Sequence, residues 1–215
     1  MATKVLIVDD HPAVREGLAV RITSQPDLEV CGEAADVAAA VKLLAAARPD
    51  VVVVDIQLES DNGLDLVERI KAYDESIGVL VWSIYPDAIY AHRALQAGAL
   101  GYINKRQATS RIVEAIRCVR NGKIFLCEEM AQQLLGSAVG RGKPSKAAGV
   151  ARLSNREMEV FRLIGQGLTT SQIARHLHRS VNTVESHREK IKGKLTLKTA
   201  AELSRAAVQW MLENS

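Results

Sequence analysis

The sequence predicts an α/β domain on a five-stranded, doubly wound parallel sheet, joined to a second domain of four short helices. Three observations predict it. Apolar runs alternate with helical patterns five times over residues 1–122, whereas residues 153–215 carry helical periodicity alone. The 215 residues are long enough for two cores, and 47% of them are hydrophobic. The net charge of +3 also hides a division: residues 1–135 hold 14 Lys+Arg against 19 Asp+Glu, and residues 151–215 hold 11 against 6. An acidic front and a basic back point to two tasks, with an anionic partner for the back.

The elements follow in order. Lys4–Val8 is an apolar run ending at Asp9-Asp10. Pro12 sits where a helix can start, with Val14, Leu18 and Ile22 at helical spacing. Leu28–Ala34 reads as the second strand, and Asp36 as the cap of a helix burying Val41, Leu43 and Leu44. Val51–Val54 is a continuous β-branched run, as expected of a strand covered on both faces. Leu64–Tyr73, Asp87–Ala97 and Thr109–Asn121 read as helices; Ile77–Trp82 and Gly101–Ile103 read as the last strands.

Glu128–Leu135 is a short helical pattern, and Gly136 to Gly149 reads as a solvated linker with four glycines. Domains are therefore expected at 1–122 and 151–215, with 123–150 between them. Ser154 with Glu157, and Thr169 with Gln172, spell two capping boxes. A third helix begins near Val181–Thr183 with Asn182 as a candidate cap, and a fourth spans about Thr199–Leu212. Four short basic helices suggest a helix-turn-helix.

Several classes are excluded. No apolar run approaches a membrane span, and the N-terminus meets acid too early for a secretory signal. Cys31, Cys118 and Cys127 are odd in number and widely spaced, as expected of reduced thiols in a cytoplasmic protein. Gly140-Arg141-Gly142-Lys143 lacks the spacing of a phosphate loop.

Parallel sheets place their sites at the carboxyl ends of the strands. Asp9 and Asp10 follow the first strand, Asp55 the third and Lys105 the fifth, while Ser83 ends the fourth. A lone Asp after a strand is ordinarily a turn or cap residue; five polar groups on one edge are not. Clustered carboxylates suit a hard cation such as Mg²⁺, and Lys105 and Ser83 suit an anion beside it. A carboxylate among such groups can accept a phosphoryl group.

On these residues, with Gly63 and the run Gly98–Lys105, the front half resembles a response-regulator receiver domain, and Asp10-His11-Pro12 resembles its NarL/FixJ branch. The resemblance implies a flavodoxin-like fold. It implies that Asp55 takes phosphate from a sensor histidine kinase. Asp10, the Asp55 carboxylate and the Gln57 backbone carbonyl would hold Mg²⁺, with Asp9 helping through water. Lys105 would pair with the phosphoryl group, Ser83 would move to it, and Tyr102 would follow inward as a switch. His11 reads as an exposed turn residue. Glu59 and Trp82 depart from the usual pattern, and Trp82 is expected to bear on how the following helix shifts.

Leu153, Arg156-Glu157, Gly167, Ile173-Ala174, Thr183-Val184, His187 and Lys194-Leu195 resemble the LuxR-type helix-turn-helix. The resemblance implies a recognition helix at Thr183–Leu195 and a homodimer on double-stranded DNA, promoted by phosphorylation. RNA polymerase is a further partner such a regulator allows. Val184, His187, Ile191 and Leu195 form the inner stripe, so Asn182, Glu185, Ser186, Glu189 and Gly193 face outward. Glu185 either accepts from a cytosine amino group or completes a capping turn, the latter favoured. Arg188, Lys190, Lys192 and Lys194 are expected to contact phosphates, with Thr183 at the helix start. Leu203, Ala207 and Trp210 are candidate dimer contacts.

The whole reads as a DNA-binding regulator controlled at Asp55, not an enzyme beyond self-catalysed phosphoryl transfer. Two alternatives stand beside it. One is a phosphorylation-independent regulator whose front half binds protein. The other is an aspartate-nucleophile phosphatase, against which Gln57 stands in place of a second acid.

Overall fold

The computed structural model describes residues 2–58, 61–85, 87–105, 111–132, 147–150 and 152–213. The chain forms two compact units, Met1–Gly140 and Arg141–Ser215.

The first unit alternates strand and helix: β1 (Thr3–Val8), α1 (Pro12–Thr23), β2 (Leu28–Ala34), α2 (Val37–Ala47), β3 (Val51–Val54), α3 (Gly63–Tyr73), β4 (Gly78–Ser83), α4 (Asp87–Gln96), β5 (Gly101–Asn104) and α5 (Ile112–Arg120). The sheet order is β2-β1-β3-β4-β5, and every pairing is parallel. This is the doubly wound arrangement expected, with β1 and β3 at its centre. Val51–Val54 are buried throughout because both faces of β3 are covered. On one face Val5, Ile7, Val53, Leu80 and Trp82 join Leu18 and Ile22 of α1 and Ile112, Ile116 and Val119 of α5 in one apolar cluster. The alternate residues Leu6, Val52, Val54, Val79 and Val81 are equally buried on the other.

One sequence expectation changes here, and the structure adds two placements. Val41 is exposed, because α2 turns Val37, Ala40 and Leu44 inward and leaves Leu43 part-buried. Trp82 belongs to the cluster with α1 and α5, since the pleat that aims Ser83 one way aims Trp82 the other. The first unit also continues past α5: Phe125 is buried, its N–H donates to Leu100 O, and its carbonyl accepts from Tyr102 N–H. Residues 128–132 are helical; the rest of the Glu128–Leu135 pattern, Glu59, residues 109 and 110, and most of the linker lie outside the described residues.

The second unit opens with one turn, α6 (Ala147–Val150), followed by α7 (Asn155–Gly165), α8 (Thr170–His176), α9 (Val181–Leu195) and α10 (Ala200–Glu213). Both capping boxes form. The cap of α9 is Ser180, not Asn182: Ser180 has extended backbone and its side chain accepts from Thr183 N–H. The left-handed His178 (φ 49°) turns the chain so that the helix begins one residue before Asn182. Among the described residues, no helix is long and apolar enough to cross a membrane.

Candidate phosphoryl and DNA-binding sites

Backbone bonds just beyond the strands fix the acidic edge. Asp9 N–H donates to Ala34 O, Asp55 N–H to Val8 O and Lys105 N–H to Ser83 O. Each extends the ladder by one residue, so these side chains leave the sheet at its carboxyl edge. Gly63 closes the β3–α3 loop: its N–H donates to Ile56 O at 2.7 Å, and a Cβ there would sit 1.8 Å from Asp55 O. Only glycine permits that approach.

The result is a compact pocket. Lys105 Nζ lies 2.6 Å from Asp9 Oδ2 and 2.7 Å from Asp55 Oδ2. Ligand atoms of Asp9, Asp10, His11 and Asp55 lie within 4.8 Å of one another. The His11 ring is 64% exposed, as expected of a turn residue, yet its Nδ1 approaches Asp10 Oδ1 to 2.6 Å. Asp55 is only 3% exposed. Its Oδ1 is buried without a hydrogen-bond partner among the described residues, whereas Asp10 Oδ1 has only the His11 ring beside it. Burial pushes the Asp55 carboxyl up to about 6, against the opposing pull of the Lys105 ammonium, with Asp9 adding to the rise. Clustered carboxylates, with Asp55 Oδ1 left without a hydrogen-bond partner among the described residues, form a hard-oxygen donor set that fits a divalent cation.

Ser83 is fully buried, and its Oγ accepts from Tyr85 N–H at 3.4 Å. Tyr102 is already turned inward: it is buried, and its OH donates to Tyr85 O at 2.8 Å. Sequence reasoning missed Tyr85, whose OH donates to Gln57 Oε1 at 2.7 Å. It also missed Asn62, the buried cap of α3. An aromatic two residues after a strand carries no spacing signal, whereas Asn before a helix does.

In the second unit, Val184 and Ile191 are fully buried on α9, while Asn182, Glu185, Ser186, Glu189 and Gly193 are exposed, as the 3.6 period requires. Partners change the reading of the charged residues. Glu185 does not cap α9; it accepts from Thr170 Oγ1 at 2.8 Å, tying the outer face of α9 to the first turn of α8. Lys194 Nζ donates to Glu157 Oε2 at 2.6 Å, and the same Oε2 accepts from Ser154 N–H in the α7 capping box. Burial pushes the Glu157 carboxyl up, but Lys194 and the Ser154 donors outweigh it and hold it below its ordinary value. Lys192 pairs with Glu189 at 2.8 Å, and Arg188 approaches Glu185 at 3.8 Å. Thr183 sits in the first turn of α9, its hydroxyl 2.8 Å from Ser180 Oγ.

The dimer candidates Leu203, Ala207 and Trp210 lie on the inner face of α10. They are buried inside their own unit, where Trp210 meets Phe161 edge-on at 5.9 Å between ring centres. An amphipathic helix must cover its own core first, and these are its core residues.

The comparisons with known proteins agree with this geometry. Residues 5–117 match the response regulator receiver domain, and residues 151–207 match the luxR family of bacterial regulatory proteins. The chain is 31% identical over 211 residues to the oxygen regulatory protein NreC of Staphylococcus epidermidis, covering 96% of this chain and 97% of that one. It is 34% identical over 194 residues to the transcriptional regulatory protein LiaR of Bacillus subtilis, covering 89% and 90%. It resembles the structure of RcsB from Salmonella enterica serovar Typhimurium bound to promoter rprA in the presence of phosphomimetic BeF3−, with TM-score 0.64, 25% identity and coverage of 95% and 98%. The chain belongs to the NarL/FixJ family of DNA-binding response regulators, transcription regulators that couple a receiver domain to a LuxR-type helix-turn-helix.

Proposed function

We propose that Asp55 is the phosphoacceptor through which a sensor histidine kinase controls DNA binding by this chain. The observation that carries the reading is the Asp55 carboxylate: one oxygen is held by Lys105, and the other is buried with no hydrogen-bond partner among the described residues, in a cluster with Asp9 and Asp10. In the transfer, an Asp55 oxygen attacks the phosphorus of a phosphohistidine. The new O–P bond replaces the N–P bond, and the electron pair leaves with the imidazole, which takes a proton. Asp10, Asp55 and the Gln57 carbonyl would hold Mg²⁺, with Asp9 assisting through water; when bound, the ion neutralises charge on the phosphoryl oxygens. Lys105 then exchanges its Asp55 contact for a phosphoryl oxygen, and Ser83 donates its hydroxyl to another.

The receiver is assigned to residues 1–122, with Phe125 packed back onto its sheet, and the DNA-binding domain to 151–215, with 123–150 between them. A phosphorylated homodimer would present α9 to the major groove, with Ser186, Glu185 and Glu189 on the base-facing side and Thr183, Arg188, Lys190 and Lys192 beside it. RNA polymerase is a further partner of such a regulator, and the cytoplasm is its compartment. DNase footprinting with beryllofluoride and Mg²⁺ tests the reading. Protection should strengthen in the wild type and stay at the resting level in Asp55→Asn; a variant that still responds fully overturns it.

The cation partners separate two roles. Lys190→Ala is expected to lower the slope of log affinity against log salt by about 1.8 for the dimer, the loss of one phosphate contact from each protomer. Lys194→Ala is expected to leave that slope nearly unchanged and instead destabilise the second unit by about 1–3 kcal/mol, because it removes a charge-assisted bond from Glu157. Salt titrations of DNA affinity and urea unfolding of both variants check the contrast.

A further inference from the structure

Tyr85 joins more of the pocket to its surroundings than any motif assigned it. Its OH donates to Gln57 Oε1 at 2.7 Å, bridging the loop after β3 and the loop after β4. Its backbone carbonyl accepts both Tyr102 OH at 2.8 Å and Asn104 Nδ2 at 2.9 Å, two residues of β5. Its ring stacks on Tyr90 of α4, with centroids 4.6 Å apart and planes 25° apart. Its N–H reaches Ser83 Oγ at 3.4 Å. One residue thus touches Gln57, Ser83, α4 and β5.

The described residues flanking Asp55 are closely tied. Gln57 is bridged to Asn62. The Gly63 N–H is bonded to Ile56 O, and Gly63 packs directly against the Asp55 carbonyl. A shift of the Asp55–Gln57 segment therefore reaches the Gln57 side chain. Tyr102 cannot be the first element to respond by swinging inward, because it is already buried and tied to Tyr85 O.

We propose that the Gln57–Tyr85 hydrogen bond transmits the state of Asp55 to the α4–β5 face, with Tyr85 as the positioning residue that moves Tyr90, Tyr102 and Asn104 together. The inference rests on Asp55 being the phosphoacceptor. Packed interfaces move between discrete arrangements, so a single bond at the hub can decide whether the face follows the pocket. The bond is polar and local, and Tyr85→Phe removes it while keeping the ring on Tyr90.

The test uses the full chain with beryllofluoride and Mg²⁺. Fluorine NMR reads occupancy of the pocket, and hydrogen exchange reads the segment Tyr90–Asn104. In the wild type, beryllofluoride should change exchange over that segment. Tyr85→Phe should bind beryllofluoride within twofold of the wild type but show at least a threefold smaller exchange change. Gln57→Met should lose the response to the same extent, and the double variant should lose no more than either single one. A Tyr85→Phe chain with the full exchange response overturns the inference, as do losses that add in the double variant. Loss of beryllofluoride binding in Tyr85→Phe alone would place Tyr85 in building the pocket and also overturn it. A wild type that never binds beryllofluoride overturns the Asp55 assignment, and this inference with it.

Discussion

Asp55→Asn is expected to stabilise the metal-free first unit at pH 8 and to leave its stability unchanged near pH 3. Burial lifts the folded-state Asp55 carboxyl to about 6 from an ordinary 3.8. Between those values the folded state holds a proton that the unfolded state has released, so stability falls as pH rises through this window. Below 3.8 both states are protonated and no penalty exists; above about 6 the penalty is complete, on the order of 2–3 kcal/mol. Asparagine carries no charge and escapes it. Lys105 is not stranded by the change, because it keeps Asp9 at 2.6 Å. Amide exchange in β3 and β4, measured in EDTA, reads the stability of this unit alone. The protection gained by the variant should grow from pH 4 to pH 7; equal protection at pH 8 would show that the buried charge is already compensated. The same reasoning predicts that Mg²⁺ reduces the difference, since a cation on Asp55 relieves the charge that asparagine removes.

Trp210→Ala is expected to unfold the second unit rather than to weaken an interface. Trp210 is 7% exposed and packs on Phe161, with Leu203 and Ala207 fully buried on the same face of α10. Removing a buried Trp costs about 3–5 kcal/mol, and a small domain commonly has only about 5 kcal/mol in total. Urea unfolding should lose the transition of this unit, and DNA binding should fall at every protein concentration. A dimer contact would behave differently: the monomer would stay folded, and binding would recover at high concentration. Val208 and Leu212 are exposed on α10, so their replacement by Ser should leave the fold intact.

Much of the fold was legible because local patterns and the global arrangement agree. Four β-branched residues in a row marked the central strand, and Ser-x-x-Glu and Thr-x-x-Gln marked two helix starts to the residue. The departures share a cause. Asn182 stood at a plausible cap position, but the cap went to Ser180 once His178 took a left-handed turn. Leu203, Ala207 and Trp210 were visible as one helical stripe, but a stripe looks the same whether it meets its own domain or a second copy.

For the site, the sequence by itself determined which chemistry stands at the sheet edge: Asp9, Asp10, Asp55, Ser83 and Lys105 follow from where the apolar runs stop. Only the tertiary structure decided how those groups are paired. Lys105 bridges two carboxylates 50 and 96 residues away. Lys194 is committed to Glu157, and Glu185 to Thr170. Tyr85 holds Gln57 across two loops. Periodicity and capping are properties of neighbours along the chain and can be read from it. Pairing between distant side chains depends on distances that exist only after the helices and strands have packed, and on competition among several suitable partners that only geometry resolves.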